Sequence, residues 1–339
     1  MNGLMSTNRQ TNQTEKRKNI LGVHSLDSFH MCVPDLKEAD HFYTAFGLVV
    51  EHESDGLGVY TAGSRHRWIQ ISESKKKKLI SLSFSVFDQD FDLLKEQVEK
   101  EVEILSEDKS NDGRKKFSFK DNNSITIEIV VGTKVTLESK AKFGNLDHST
   151  RENESGSWSR SIKPKITPLR LSHILIFTPS VPETIAFYAK TLGLKLSDRT
   201  EDLIAFMHGQ HGSDHHLIAF AMSDGTPAAL HHCSWDVGSI NAIGLGTEQM
   251  IEAGYPRHWG LGRHVVGSNY FSYVQDPWGS WCEYSADIDY ISHDHNWTAK
   301  NHPAEDGIYV WGPELPEDFI FNYEAHQDIW QLRKTSNQK

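Results

Sequence analysis

Three cysteines in 339 residues, Cys32, Cys233 and Cys282, are too few and too scattered for a disulfide framework, and no Cys-x-x-Cys pair is present. A reducing, cytoplasmic compartment fits that usage. Long apolar runs are also missing. Nowhere does the chain offer the roughly 18 consecutive apolar residues of a membrane span, and the polar first 19 residues contain no signal-peptide core. Positive charge is scarce, with 35 Lys and Arg against 46 Asp and Glu and a formal net charge of -11. Attraction to phosphate backbones or anionic membranes is disfavoured, so no nucleic-acid or membrane partner is expected.

What is there is ordinary globular material, 37% hydrophobic and 24% charged, long enough for two domains of common size. Residues 1–19 read as a disordered tail. From 20 to 131, short β-branched and aromatic runs alternate with amphipathic stretches, the pattern of small mixed α/β units. The segment from Ser28 reads as a strand ending at Pro34, and Leu36 to Phe46 as a helix stopped by Gly47. Residues 132–166, dense in Lys, Ser, Glu, Asn and Gly, lack an apolar period and read as a linker. The Lys75 to Lys78 run reads as a solvated turn.

The organisation then restarts over residues 167–290. Leu171 to Phe177 predicts a strand and Val181 to Leu192 a helix closed by Gly193, with Phe187-Tyr188 standing where Phe42-Tyr43 stood. Further strands match in pairs, Leu82–Val86 with His232–Val237 and Ile125–Ile129 with Ser280–Tyr284. This is a duplication. The remaining residues, 291–339, have no counterpart in the duplicated units and read either as a packed extension or as a cap over a site.

The second copy is rich in histidine. Placement selects among them: His173 falls on the opening strand, His232 on a later one, and Glu283 on a strand after the turn Asp276-Pro-Trp-Gly279. Two imidazoles and one carboxylate from separate strands can hold one face of a metal ion and leave the other positions open, whereas a structural zinc site would want four closed ligands. His231 adjoins His232 but, on a regular strand, should point to the opposite face. A simple hairpin through Asp276 to Gly279 sets Tyr273 opposite Cys282 instead of Glu283, so a shared face would need a bulge. The first copy keeps His30 and Glu128 but has Ser81 near the middle position, an incomplete set that reads as a structural remnant.

The ordered segments Leu-Ser-His173, His215-His-Leu-Ile-Ala-Phe220, Leu-His-His232, Gly262-Arg-His264, Tyr273 and Glu283 resemble the successive motifs of type I extradiol dioxygenases of the vicinal oxygen chelate superfamily. The resemblance implies an α+β fold of two tandem domains, each of paired βαβββ modules forming a partly open barrel. It implies Fe(II), or Mn(II), held by His173, His232 and Glu283, with the first domain non-catalytic. His216 would be the acid/base, His215 its competitor, and His264 with Tyr273 would hydrogen-bond the substrate oxygens. The expected partners are a catechol-type diol and O2, the expected product a yellow semialdehyde carrying both oxygen atoms, and the expected assembly a homo-oligomer. Gly267 departs from the pattern, since some members of the family carry there an Asp that joins a polar network near the substrate. Two rivals stay open: a glyoxalase-type lyase or isomerase that uses a metal without O2, and a protein that sequesters an aromatic ligand.

Overall fold

The computed structural model describes residues 20–110, 112–135, 153 and 158–330. The expected N-terminal tail, most of the expected linker and residues 331–339 lie outside the described residues. Among the described residues, no helix is long and apolar enough to cross a membrane.

The first half runs β1 (Ser25–Val33), α1 (Leu36–Ala45), β2 (Val49–Glu53), β3 (Gly56–Tyr60), β4 (Arg67–Glu73), β5 (Lys78–Val86), α2 (Phe91–Glu99), β6 (Ile104–Lys109), β7 (Lys115–Lys120) and β8 (Thr126–Val131). The second half repeats it with β9 (Arg170–Thr178), α3 (Val181–Leu192), β10 (Lys195–Thr200), β11 (Ile204–His208), the short β12 (Ser213–Asp214) and β13 (Ile218–Met222). It continues with β14 (Ala229–Asp236), α4 (Ile240–Glu252), β15 (His258–His264), β16 (Tyr270–Gln275) and β17 (Trp281–Ala286). Three short strands follow: β18 (Tyr290–Ile291), β19 (Lys300–His302) and β20 (Tyr309–Trp311).

Helix boundaries follow the local chemistry. The Asp35 carboxylate accepts from Lys37 N and Glu38 N at the start of α1, and α3 ends at Gly193 with φ of 68°, a left-handed residue that favours glycine. Each half is a pair of βαβββ modules joined through antiparallel central strands, β1 on β5 in the first and β9 on β14 in the second. The sheet orders are β2-β3-β4-β1-β5-β8-β7-β6 and β19-β10-β11-β13-β9-β14-β17-β16-β15-β20. Neither sheet closes on itself, so each remains a half-open barrel with its helices outside.

The C-terminal extension completes the second sheet. Its β19 pairs with the outer strand β10 and its β20 with the opposite outer strand β15, so residues 300–311 strap the two open edges together. Both edges are thereby covered, a common remedy for unpaired strands. The extension is packed, and it also walls the catalytic half, as described below.

The two halves are pinned by charge. The Lys75 to Lys78 run is not simply a solvated turn: Lys77 is fully buried and ion-pairs with Asp276, the residue that opens the β16–β17 turn. A buried ammonium is tolerable only with such a partner. Glu324 of the extension reaches the same junction, accepting from Leu79 N at 2.8 Å and Leu230 N at 3.2 Å.

Burial raises the Glu324 carboxyl to about 7 from its ordinary 4.5. Between those values the folded chain holds a proton that the unfolded chain has lost, so raising pH through this window removes stability, and lowering it restores stability. Thermal unfolding from pH 4.5 to 7.5 should show the wild type falling relative to a Glu324→Gln variant, by about 3 kcal/mol at most. A difference constant over that range would contradict it.

Candidate active site

Glu283 organises the site. It lies on β17, with β14 on one side and β16 on the other, and the registers Ser234↔Glu283 and Tyr273↔Glu283 set Tyr273 directly across from it. No bulge is needed. The hairpin turn takes in Ser280 as a fifth residue because the Asp276 carboxylate accepts from Trp278 N at 2.8 Å and Ser280 N at 3.0 Å. That one-residue difference corrects the simple four-residue turn and brings Tyr273 and Glu283 onto one face.

His173, His232 and Glu283 converge, offering ligand atoms that all lie within 4.8 Å of one another; all three are buried. His173 Nε2 stands 3.2 Å and His232 Nε2 3.8 Å from Glu283 Oε2. Among the described residues this is the one group of three or more such ligands brought together.

Their second nitrogens explain which atoms face inward. Ser172 Oγ donates to Asp214 Oδ2 at 3.1 Å, so it accepts from His173 Nδ1–H at 3.2 Å. Burial lowers His231 to about 4, so it is neutral, and its Nε2–H donates to the Phe319 carbonyl at 2.9 Å. Its Nδ1 must then accept from His232 Nδ1–H at 2.8 Å. Both tautomers leave Nε2 as a bare lone pair aimed at Glu283.

On the carboxylate, Asn269 Nδ2 donates to Oε1 at 3.0 Å, while Oε2 has no protein partner, and neither has His232 Nε2. The His232 lone pair and the Glu283 Oε2, buried and without a partner, are costly unless a cation sits between them, so the donor set fits a divalent metal. Orienting each ligand imidazole through its other nitrogen is the usual companion of such a site.

His231 departs from the expected alternation. The β9–β14 ladder shifts register between Leu230 and His232, a bulge that turns His231 toward the same cavity as its neighbour. It acts there as the acceptor for His232 Nδ1–H, outside the converging group.

His216 packs at a tilt against His173, with ring centroids 4.1 Å apart and planes at 53°, and burial followed by the neighbouring His173 lowers it well below its ordinary value. His215 Nε2–H donates to Asp198 Oδ2 at 2.9 Å, so its Nδ1 accepts from His216 Nδ1–H at 3.2 Å. The His216 Nε2 is thus free to take a proton. Burial pushes Asp198 upward, but the hydrogen bonds from His215 and the Lys300 amide prevail and lower it. A Cβ at Gly267 would lie 3.4 Å from His216 Cε1 and 3.6 Å from His215 Nδ1, so the polar backing comes from the His215–Asp198 pair where the expected network has a side chain at 267.

His264 Nδ1–H donates to Ile308 O at 2.7 Å, leaving Nε2 to accept from Tyr273 OH at 2.9 Å. The sequence reading missed Asn269, the His215–Asp198 relay and the role of His231. For His215 and His231 the adjacent His-His pairs were a signal; nothing local marked Asn269 or Asp198.

In the first half, His30 bonds Ser72 Oγ at 2.8 Å, and Glu128 is satisfied by Ser83 Oγ at 2.8 Å and Lys116 Nζ at 2.9 Å. Where Glu283 has an orphan oxygen, Glu128 has a lysine, so that carboxylate needs no ion.

His173 and His232, with His216, His264 and Tyr273, line a cavity of about 550 Å³ whose other walls include Leu175, Phe206, Ile308 and Phe319.

With this geometry in view, the family model of the Glyoxalase/Bleomycin resistance protein/Dioxygenase superfamily matches residues 170–284. The chain is 44% identical to metapyrocatechase 2 of Cupriavidus necator over 303 residues, 89% of this chain and 93% of that one. Among solved structures it resembles the Mn(II)-bound glyoxalase of Novosphingobium aromaticivorans, with TM-score 0.72, 22% identity and 89% and 94% of the two chains covered. It also resembles the 2,2',3-trihydroxybiphenyl 1,2-dioxygenase of Sphingomonas wittichii strain RW1, with TM-score 0.67, 20% identity and coverage of 87% and 100%.

Proposed function

Because the chain belongs to the metapyrocatechase family of extradiol dioxygenases, within the Glyoxalase/Bleomycin resistance protein/Dioxygenase superfamily, we propose that it opens a catechol-type ring beside the diol, using O2 and Fe(II) held by His173, His232 and Glu283. The observation that carries this reading is the buried trio whose His232 Nε2 and Glu283 Oε2 find no protein partner. Two histidines and one carboxylate with open positions are the donor set of non-haem Fe(II) oxygenases; Mn(II) is the alternative ion. Iron bound there supplies a meeting point for diol and O2 and a route for electrons from ring to oxygen.

The chain's own groups do the rest. His216 Nε2 accepts a proton from the diol and returns it as the ring opens, and the His215–Asp198 pair fixes the tautomer that keeps this nitrogen basic. When the diol binds, Tyr273 OH gives up its bond to His264 Nε2 and donates to a substrate oxygen, leaving His264 Nε2 to accept from the second hydroxyl. The Phe206 and Phe319 rings exclude water from the site. A cytoplasmic, self-associating enzyme is part of the same reading.

Anaerobic reconstitution with Fe(II), followed by catechol and O2, tests it. One O2 should be consumed per ring opened, with a yellow product carrying both atoms of labelled oxygen. Turnover without oxygen uptake would favour a lyase or isomerase, and stoichiometric binding without turnover a sequestering protein.

The relay behind His216 makes a separate prediction. A His215→Phe variant should keep its iron and its KM but lose about 10- to 100-fold in kcat, the scale on which outer hydrogen-bond partners act. An unchanged kcat with an unchanged pH profile would leave His215 with packing alone.

A further inference from the structure

Behind His173 lies a buried ion pair that neither proton transfer nor substrate contact uses. Arg170 Nη2 stands 2.7 Å from Asp214 Oδ2 and 3.1 Å from Asp236 Oδ2. Asp214 and Ser172 are fully enclosed and Arg170 nearly so, and none of the three lines the cavity. The pair is incompletely satisfied, since Arg170 Nε and Nη1 and Asp214 Oδ1 have no protein partner. A buried pair in that condition recovers little of the cost of leaving water, so stability is a poor reason for its presence.

Its position supplies a better one. On a regular strand Ser172 would face away from His173. The β9–β14 register passes from Ser234↔His173 to Trp235↔Leu171 and skips Ser172, a bulge that swings the hydroxyl alongside its neighbour's ring. There Ser172 Oγ donates to Asp214 Oδ2 at 3.1 Å and accepts from His173 Nδ1–H at 3.2 Å. Asp214 arrives from β12, which β18 holds in the pairing Asp214↔Tyr290. One oxygen, Oδ2, takes both Ser172 and Arg170, so the guanidinium fixes the carboxylate where it meets the hydroxyl. The same device recurs on β14, where the bulged His231 accepts from the next ligand, His232.

We propose that Asp214 is a positioning residue for the metal ligand His173: held by Arg170, it keeps the Ser172 O–H turned away from Nδ1, so that the imidazole carries its proton there and presents a bare Nε2 to the ion. This rests on the metal assignment above and adds to it what sets the affinity of the site. A serine hydroxyl with no carboxylate to meet is free to rotate and donate to Nδ1. The imidazole proton then moves to Nε2, where it competes with the ion. A carboxylate that polarises the hydroxyl also makes it the stronger acceptor, because hydrogen bonds in a chain reinforce one another.

The test reads Mn(II) affinity from the electron paramagnetic resonance signal of the free ion, with no turnover required. Ser172→Ala should weaken Mn(II) binding about 10- to 100-fold. Asp214→Asn keeps an oxygen for Ser172 but no charge, and should weaken binding about fivefold, since a charge-assisted hydrogen bond is the stronger kind. Added to Ser172→Ala it should cost nothing more, because the two act through one hydroxyl. Asp236→Asn is the control: it also takes a charged partner from Arg170 and should lower the melting temperature as Asp214→Asn does, yet leave Mn(II) affinity unchanged. Unchanged affinity in Ser172→Ala, additive losses in the double variant, or equal losses in Asp214→Asn and Asp236→Asn overturn the inference, while Mn(II) binding by the wild type keeps the metal reading. If Ser172→Ala does not fold, the comparison of Asp214→Asn with Asp236→Asn decides alone. A wild-type protein that binds no Mn(II) overturns both.

Discussion

Replacing His232 by alanine should yield a folded protein that binds little iron and turns over no measurable catechol. The His232 Nε2 is one of the three converging donors, and its Nδ1 is held by His231, itself anchored on the Phe319 carbonyl. Losing a partner of a metal ligand commonly costs about 10- to 100-fold in affinity, so losing the ligand costs more than that. At micromolar enzyme and iron, metal content measured by mass spectrometry should fall below about a tenth of an equivalent, and O2 uptake with it. Full iron content with full turnover would refute the ligand set. The change also leaves His231 Nδ1 buried without its donor, so a small drop in thermal stability is expected beside the loss of metal.

His216→Ala is expected to behave differently. His216 packs on His173 but is not one of the converging donors, so iron content should stay near that of the wild type. What it loses is proton transfer, a contribution of about 10²- to 10⁴-fold to kcat. Steady-state kinetics should show the loss in kcat with KM little changed. Loss of iron in step with activity would instead make His216 a structural support of His173.

Much of the catalytic half is legible in the residues. The β-branched run Leu171–Phe177 and the helix closed by Gly193 appear where local preference puts them, as Arg170–Thr178 and Val181–Leu192. The positions of His173, His232 and Glu283 follow from the order of motifs, because central strands of a duplicated module necessarily lie side by side. What escaped depends on contacts distant in sequence. The register of Tyr273 against Glu283 is set by a carboxylate capping its own turn, and that carboxylate is in turn gripped by Lys77 from the other half. No window of local sequence marks Lys77 as buried, and its charged neighbours argue for the opposite. The strap of residues 300–311 escaped for the same reason: strands of three residues carry almost no periodicity and exist only because open edges await them.

The Phe319 carbonyl takes a hydrogen bond from His231, and His231 in turn takes one from His232, while the Phe319 ring packs 5.0 Å from Tyr273 and borders the cavity. A single residue therefore has one hand on the guest and the other on a chain of imidazoles leading to the ion. A substitution at position 319 that shifts its backbone would therefore be felt twice, in the wall of the cavity and in the orientation of the His232 ring.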